Sequence, residues 1–162
     1  MDNKLIMVDL TEIVVKAESY CVYQERSIHE VRQKLQQWDL PQQEVEGVIT
    51  HLIQEDFLNE VRFAEAYTLG KFRINGWGKT KIKQALKLKR IAPELITESL
   101  NKIDNLDYIN KLQQLIEKKS KLLTEEDQRK RRHKLIQYAL TKGFEQELIF
   151  DILSHPEKCL HF

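Results

Sequence analysis

Residues 79–103 read KTKIKQALKLKRIAPELITESLNKI, and their spacing sets the pattern for the rest of the chain. The apolar positions Ile82, Leu86, Ile91, Ile96, Leu100 and Ile103 predict two short amphipathic helices joined by a turn, because residues three and four apart share a helix face. Pro93 stands just inside the second helix, where its missing N–H costs no intrahelical bond. The same pattern occurs 51 positions earlier as Val31, Leu35, Leu40, Val45, Ile49 and Leu52, with Pro41 echoing Pro93 one position out of step. It returns 53 positions later as Leu135, Ala139, Phe144, Ile149 and Leu153, with Gly143 free to take a positive φ at the turn. A period of about 50 residues marks a tandem helical repeat.

A third helix follows each of the first two pairs. Asn59 is placed to cap one that carries Phe63, Ala64, Tyr67 and Phe72, with Phe57 and Leu58 in the preceding turn. Residues 106–123 align Tyr108, Ile109, Leu112, Leu115, Ile116 and Leu123 on one face. Thr124 is expected to cap the next helix, with Asp127 reaching back. Ile6, Val8, Leu10, Ile13, Val14 and Val15 fit either a strand or a helix. A lone strand would leave its edges unpaired, so a helix from about residue 11 to 23 is preferred. The expected division is a leader over 1–20, a first three-helix repeat over 21–73, a second over 74–123 and a third over 124–162. In the third, only residues 156–162 remain for a last helix, which is expected to be short or absent. The fold class is all-α.

The chain has 162 residues, 41% hydrophobic and 31% charged, with five glycines, too few for a large glycine-looped cofactor fold. Its formal net charge is only +1, but the distribution is uneven. Residues 1–70 hold six basic and thirteen acidic side chains, and residues 71–162 hold twenty and twelve. Such a division suits one basic face or two different binding faces. Cys21 and Cys159 are too few and too far apart for a disulfide framework or a metal-binding pair, and are expected as two unpaired thiols. No apolar run approaches the ~20 residues of a membrane span and Asp2 and Asp9 interrupt any signal-peptide pattern, so a cytoplasmic, membrane-free protein is expected.

Catalytic patterns do not emerge. His29, His51, His133, His155 and His161 form no metal-ligand spacing, and Ser27, Ser99, Ser120 and Ser154 lack a glycine-flanked nucleophile turn. Gly76-Trp77-Gly78-Lys79 is too short for a phosphate loop. No catalytic residue, metal or cofactor is assigned, and no enzyme is expected.

Residues 71–90 carry eight positive charges and no acidic residue: Lys71, Arg73, Lys79, Lys81, Lys83, Lys87, Lys89 and Arg90. Lys79, Lys83, Lys87 and Arg90 share one side at helical spacing, where like charges repel and an anionic partner would relieve them. Gly76 and Gly78 loosen the turn before this helix, whose N-terminal N–H groups are expected to be open to an anion. Trp77 fits either an anchor in the core or an exposed ring that stacks on a partner. Arg129, Lys130, Arg131, Arg132 and Lys134 form a second cluster, which Glu125, Glu126 and Asp127 do not fully balance. Opposed acidic and basic surfaces suit a nucleoprotein better than bare duplex DNA.

At this point the chain resembles the RecX family of bacterial recombination regulators. The resemblance spans about residues 20–155 and rests on Asp56, Leu58, Asn59, Glu60, Arg62, Phe63 and Ala64, then Gly76, Gly78 and Ile82, in order within the repeat. Asn59-Glu60 departs from the family's tendency towards Asp-Asp while keeping a helix cap and one charge. The resemblance implies tandem helix-turn-helix-like bundles in an elongated curved body. It also implies binding to the RecA–single-stranded DNA filament, with inhibition of strand exchange, ATPase and co-protease activity in DNA repair and the SOS response. Single-stranded DNA is a further candidate partner, duplex DNA a weak one, and a monomer is expected. Two other readings stay open from the residues alone: a helix-turn-helix DNA binder independent of RecA, and a helical scaffold that binds only proteins.

Overall fold

A computed structural model of the chain describes residues 9–155, and these are helical with short connections. The helices are α1 (Leu10–Tyr23), α2 (Ile28–Gln37), α3 (Gln42–Gln54), α4 (Glu60–Arg73), α5 (Lys79–Leu88), α6 (Pro93–Asn101), α7 (Asn105–Leu122), α8 (Gln128–Lys142) and α9 (Gln146–Ser154). The helix preferred over residues 11–23 is present as α1, burying Ile13, Ala17 and Cys21 at four-residue spacing, while Ile6 and Val8 lie outside the described residues. Burial pushes the Cys21 thiol up to about 11. Cys159 and residues 156–162 lie outside the described part.

Side-chain caps fix where several helices begin. Ser27 accepts from the Glu30 N–H while Glu30 accepts from the Ser27 N–H, a complete capping box. Asn59 caps α4 as expected, accepting from Val61 and Arg62. Thr124 does not cap α8. That helix starts three residues later on Asp127, whose carboxylate accepts from the Lys130 N–H and also suits the positive end of the helix dipole.

The repeat appears most clearly at its turns. Asp39, Arg90 and Gly143 each adopt a positive φ, of 56°, 59° and 92°, within two residues of the ends of α2, α5 and α8. The next residue in each turn, Leu40, Ile91 or Phe144, is buried and donates its N–H 3.2 Å to Leu35, Leu86 or Ala139. This closure satisfies an orphan carbonyl and drives an apolar side chain under the helix end. Two of the three positions hold non-glycine residues, at a backbone cost of about 1–2 kcal/mol each, so packing of the following side chain sustains the turn.

The grouping of helices differs from the expected 21–73, 74–123 and 124–162 division by one helix. The bundles are α1–α3, α4–α6 and α7–α9: α4 packs on α5 and α6, and α7 on α8 and α9. Buried Thr68 of α4 donates to Ser99 of α6 at 3.0 Å, and Ser99 donates to the Ile96 carbonyl at 2.9 Å. The helix that follows each pair is therefore the first of the next bundle. The segment named a leader contributes α1, and the third bundle is complete without a helix after residue 154.

The bundles form an elongated tandem array with two unlike junctions. Bundle one has its own core, built from Val31, Leu35, Val45, Ile49, Leu52 and Leu58 with the buried face of α1. Bundles two and three share a single core, in which Phe72, Ile82, Leu86, Leu112, Phe144 and Ile149 belong to one contiguous cluster. Charged groups span the first junction: Arg62 donates to Glu25 at 2.9 Å, Lys89 pairs with Glu30, and Glu60 accepts from the Ile28 N–H at 3.2 Å.

Candidate functional surface

The turn from α4 into α5 is locked rather than loose. Gly76, at φ +63°, donates to the Phe72 carbonyl, and a Cβ there would press 3.2 Å from Leu115. At the head of α5, the Gly78 N–H donates to Lys142 O at 2.8 Å, Thr80 to Gly143 O at 3.1 Å, and Lys79 to the Tyr108 hydroxyl at 2.9 Å. The anion expected at this helix start is thus displaced by the protein's own oxygens, and the N–H groups of residues 78–80 are already engaged. An anionic partner must be met here by side chains.

Tyr108 fastens the same corner. Its hydroxyl donates to Glu145 at 2.6 Å, and its ring packs between Phe72 and Phe144, with centroids 5.9 and 5.0 Å away. Burial, reinforced by the hydrogen bond to Glu145, holds the phenol far above its usual range.

Of its two expected roles, Trp77 takes that of an anchor. It packs half-buried against the shared core, while the Lys71 and Lys81 ammonium groups stand 4.9 and 4.7 Å from its ring. Lys71 is also 5.3 Å from the Tyr67 ring, and Lys89 lies 5.4 Å from it on its way to Glu30. Such contacts are worth about 0.5–1 kcal/mol at exposed sites. Lys83, Lys87, Arg90 and Arg73 are exposed, and Lys79 extends over Tyr108. Among the described residues, Lys89 alone of the eight cations in 71–90 has a carboxylate within ion-pair distance.

The second cluster is divided between structure and surface. Arg131 donates to the Ser120 and Leu123 carbonyls and to the Ser120 hydroxyl, closing the C-terminal end of α7. Arg132 donates to Leu153 O at the end of α9, and Lys134 pairs with Glu125 at 3.1 Å. Arg129 and Lys130 are exposed and without ion pairs among the described residues. The five charges therefore do not act as one patch.

The stretch carrying the resemblance is a junction. Asp56 has φ +57°, and Arg62 donates to its carboxylate at 2.7 Å and its carbonyl at 2.8 Å while also holding Glu25. The Arg62 guanidinium holds the Asp56 carboxyl below its usual range. Leu58 enters the first core, Phe63, Ala64 and Ile82 the second.

Three surface depressions gather cations, the first and third including Lys71, Lys89 and Lys134 of the expected clusters, the second made of four that sequence reasoning missed. One, of about 480 Å³, lies between the α1–α2 turn and α4 and is lined by Glu25, Glu30, Tyr67, Lys71 and Lys89. A second, of about 340 Å³, lies among the α4–α5 turn, α7 and α8 and is lined by Lys111, Lys118, Lys119, Lys142 and Tyr138 without a carboxylate. The third, of about 350 Å³, continues past Tyr138 to His133 and Lys134. Lys118 and Lys119 share a helix with Glu117, which pairs with Lys121, so in sequence that stretch reads as an ordinary mixed-charge face. Among the described residues no group of His, Cys, Asp or Glu could hold a metal ion, and no helix is long and apolar enough to cross a membrane.

Comparison with known proteins agrees with this architecture. The family models described as the first, second and third three-helix domains of RecX match residues 15–52, 59–100 and 107–153, in the phase that the packing gives. The regulatory protein RecX of Clostridium acetobutylicum is 30% identical across 93% of this chain and 76% of its own length. That of Bacillus cereus is 28% identical across 92% of this chain but 55% of its own, so the chain spans about half of some of its relatives. A crystal structure of RecX from Lactobacillus salivarius superposes with a TM-score of 0.80 at 27% identity, covering 91% of this chain and 96% of that one. A second RecX crystal structure, 23% identical with a TM-score of 0.78 over 95% of this chain and 78% of that one, shares the fold. Bundle phase, motif order and overall superposition together place this chain in the RecX family.

Proposed function

We propose that this chain binds the nucleoprotein filament that RecA forms on single-stranded DNA and restrains it, lowering ATP hydrolysis, strand exchange and co-protease activity, and thereby acting in DNA repair and SOS regulation. Family membership supports a regulatory role. The observation that carries the rest is the set of seven cations in residues 71–90 that lack a carboxylate partner among the described residues. Folding gathers like charges at a cost that an anionic surface would offset. An elongated array can engage such a surface at several points along a filament, and it needs no catalytic group to do so.

The reading is tested by measuring binding to preformed filaments across a salt series for the original protein and for Lys83→Glu combined with Lys87→Glu. These two side chains are exposed and hold no hydrogen bond, ion pair or ring contact among the described residues. The expected result is weaker binding with a shallower salt dependence in the variant. Equal binding at every salt concentration would favour a scaffold that recognises protein alone and would remove this segment from the interface.

A further inference from the structure

Both junctions between bundles follow one rule: the start of a bundle's second helix meets the turn that ends the second helix of the next bundle. At the first junction, Glu30 in the first turn of α2 pairs with Lys89 at the α5–α6 turn. At the second, the Gly78 and Thr80 N–H groups at the start of α5 donate to Lys142 and Gly143 at the α8–α9 turn, and the Lys81 ammonium donates to the Thr141 carbonyl at 3.2 Å. A step taken twice in one chain is a step that can be repeated. Among the described residues the start of α8, in the third bundle, meets no such turn, and the α2–α3 turn, in the first, meets no such helix start.

These two faces carry opposite charge. The start of α8 presents Arg129 and Lys130, exposed and without ion pairs among the described residues. Of the acids beside them, Asp127 is engaged as the cap and Glu125 is held by Lys134, which leaves Glu126. The α2–α3 turn presents exposed Asp39 and, in the first turn of α3, Glu44, neither with a side-chain hydrogen bond or ion pair among the described residues. Of the cations on that side, Arg32 holds Glu46 and Lys34 lies 5.7 Å from the Trp38 ring.

We propose that the partner of these faces is a second copy of this chain: the acidic α2–α3 turn of one molecule docks on the basic start of α8 of another, so that molecules join head to tail in the register their own bundles follow. The internal junctions supply the shape and the opposed charges supply the attraction. A two-fold dimer would set like charge against like, whereas a heterologous contact pairs each end with its complement. Because the array is elongated, repeating the step extends an open row instead of closing a ring. One turn on one helix start is a small interface, so the monomer expected from the resemblance is the dilute state. Joining strengthens where molecules are held side by side on a common support.

The test uses the full-length protein alone, without RecA or DNA, so it does not depend on the filament reading. Sedimentation equilibrium is followed from about 10 to about 500 μM, the range in which small interfaces associate. At about 50 mM salt the weight-average mass of the original protein should climb steadily, with no plateau at two chains, and at about 500 mM it should return to that of one chain. Asp39→Arg with Glu44→Lys should weaken association at least about tenfold, and so should Arg129→Glu with Lys130→Glu. Arg90 holds the position equivalent to Asp39 at nearly the same φ, so a long cation fits the turn. An equimolar mixture of the two double variants should recover association, since each then offers the charge the other lacks.

A mass fixed at one chain throughout the low-salt series would overturn the proposal. So would a plateau at two chains, which marks a two-fold dimer. Association that both double variants retain would place the contact elsewhere, and two folded variants that stay apart when mixed would show that the turn and the start of α8 do not face each other.

Discussion

Gly78 lies against the Gly143 backbone, and neither position has room for a side chain: a Cβ on Gly78 would lie 2.2 Å from the Gly143 carbonyl oxygen, and one on Gly143 would lie 2.2 Å from Lys81 Cβ. The start of α5 and the turn after α8 are thus in backbone contact, bridged by the Gly78 and Thr80 hydrogen bonds. Bundles two and three behave as one body because neither chain segment can retreat without uncovering the shared core.

Gly78→Ala should therefore destabilise the protein by about 1–3 kcal/mol or more, the range for overpacking against atoms that cannot move aside. Gly47→Ala supplies the contrast. Gly47 lies within α3 with no atom within 4 Å of an added Cβ, and alanine there should stabilise by about 0.5–1 kcal/mol. Denaturant unfolding of both variants checks the pair. A neutral Gly78→Ala would mean that the backbone contact is not made.

The unlike junctions predict two cooperative units. Leu52 belongs to the first core and Leu86 to the shared one, and both are fully buried. Each Leu→Ala change should cost about 2–5 kcal/mol, with Leu52→Ala lowering only the transition of α1–α3 and Leu86→Ala only that of α4–α9. Cys21 reports the first unit, since its buried thiol is held above the ordinary range and alkylates when α1 lifts away. In a Cys159→Ser background, Leu52→Ala should accelerate alkylation strongly and Leu86→Ala should leave it nearly unchanged. Equal acceleration by both would show a single unit.

Tyr108 gives the pH dependence a definite sign. Its folded-state pKa is raised by burial and by donation to Glu145, while in the unfolded chain it titrates near about 10. Above that value the unfolded state releases a proton that the folded state retains. The stability contributed by Tyr108 is therefore fully present below pH ~10 and is lost as pH rises towards the folded pKa. Unfolding midpoints measured from pH 8 to about 11 should fall more steeply for the original protein than for Tyr108→Phe. At neutral pH that variant should be less stable by about 1–3 kcal/mol, because the Lys79 N–H and Glu145 lose their partner. Parallel pH profiles would contradict the assignment.

The second basic cluster predicts a division between stability and binding. Arg131→Ala should destabilise by about 1–3 kcal/mol, since it strands the carbonyls at the end of α7. Arg129→Glu with Lys130→Glu should leave the melting temperature within about 2 °C, as surface changes usually do. Thermal unfolding separates the two.

Much of this organisation was legible in residue spacing. The Leu35–Leu40, Leu86–Ile91 and Ala139–Phe144 intervals mark the three turns, because a left-handed closure places a buried residue five positions after its acceptor. The phase of the bundles was not legible. Asn59 and Asp104 cap α4 and α7 clearly, but an amphipathic helix after a short loop fits the preceding pair as well as the following one, and the Thr68–Ser99 bond that decides the matter spans 31 residues. The density of charge in 71–90 was visible, whereas Lys142 meets Asn75 across 67 positions. No periodicity along one helix can announce a groove assembled from three. The locked N–H groups at Gly78, Lys79 and Thr80 were hidden for the same reason.

The central claim is most directly tested by single-stranded-DNA-dependent ATP hydrolysis by RecA, followed while the full-length protein is titrated into preformed filaments. The account predicts that hydrolysis falls with added protein, with the Lys83→Glu/Lys87→Glu variant shifted to higher concentration and high salt shifting both. Hydrolysis unchanged at every ratio of protein to RecA would contradict it.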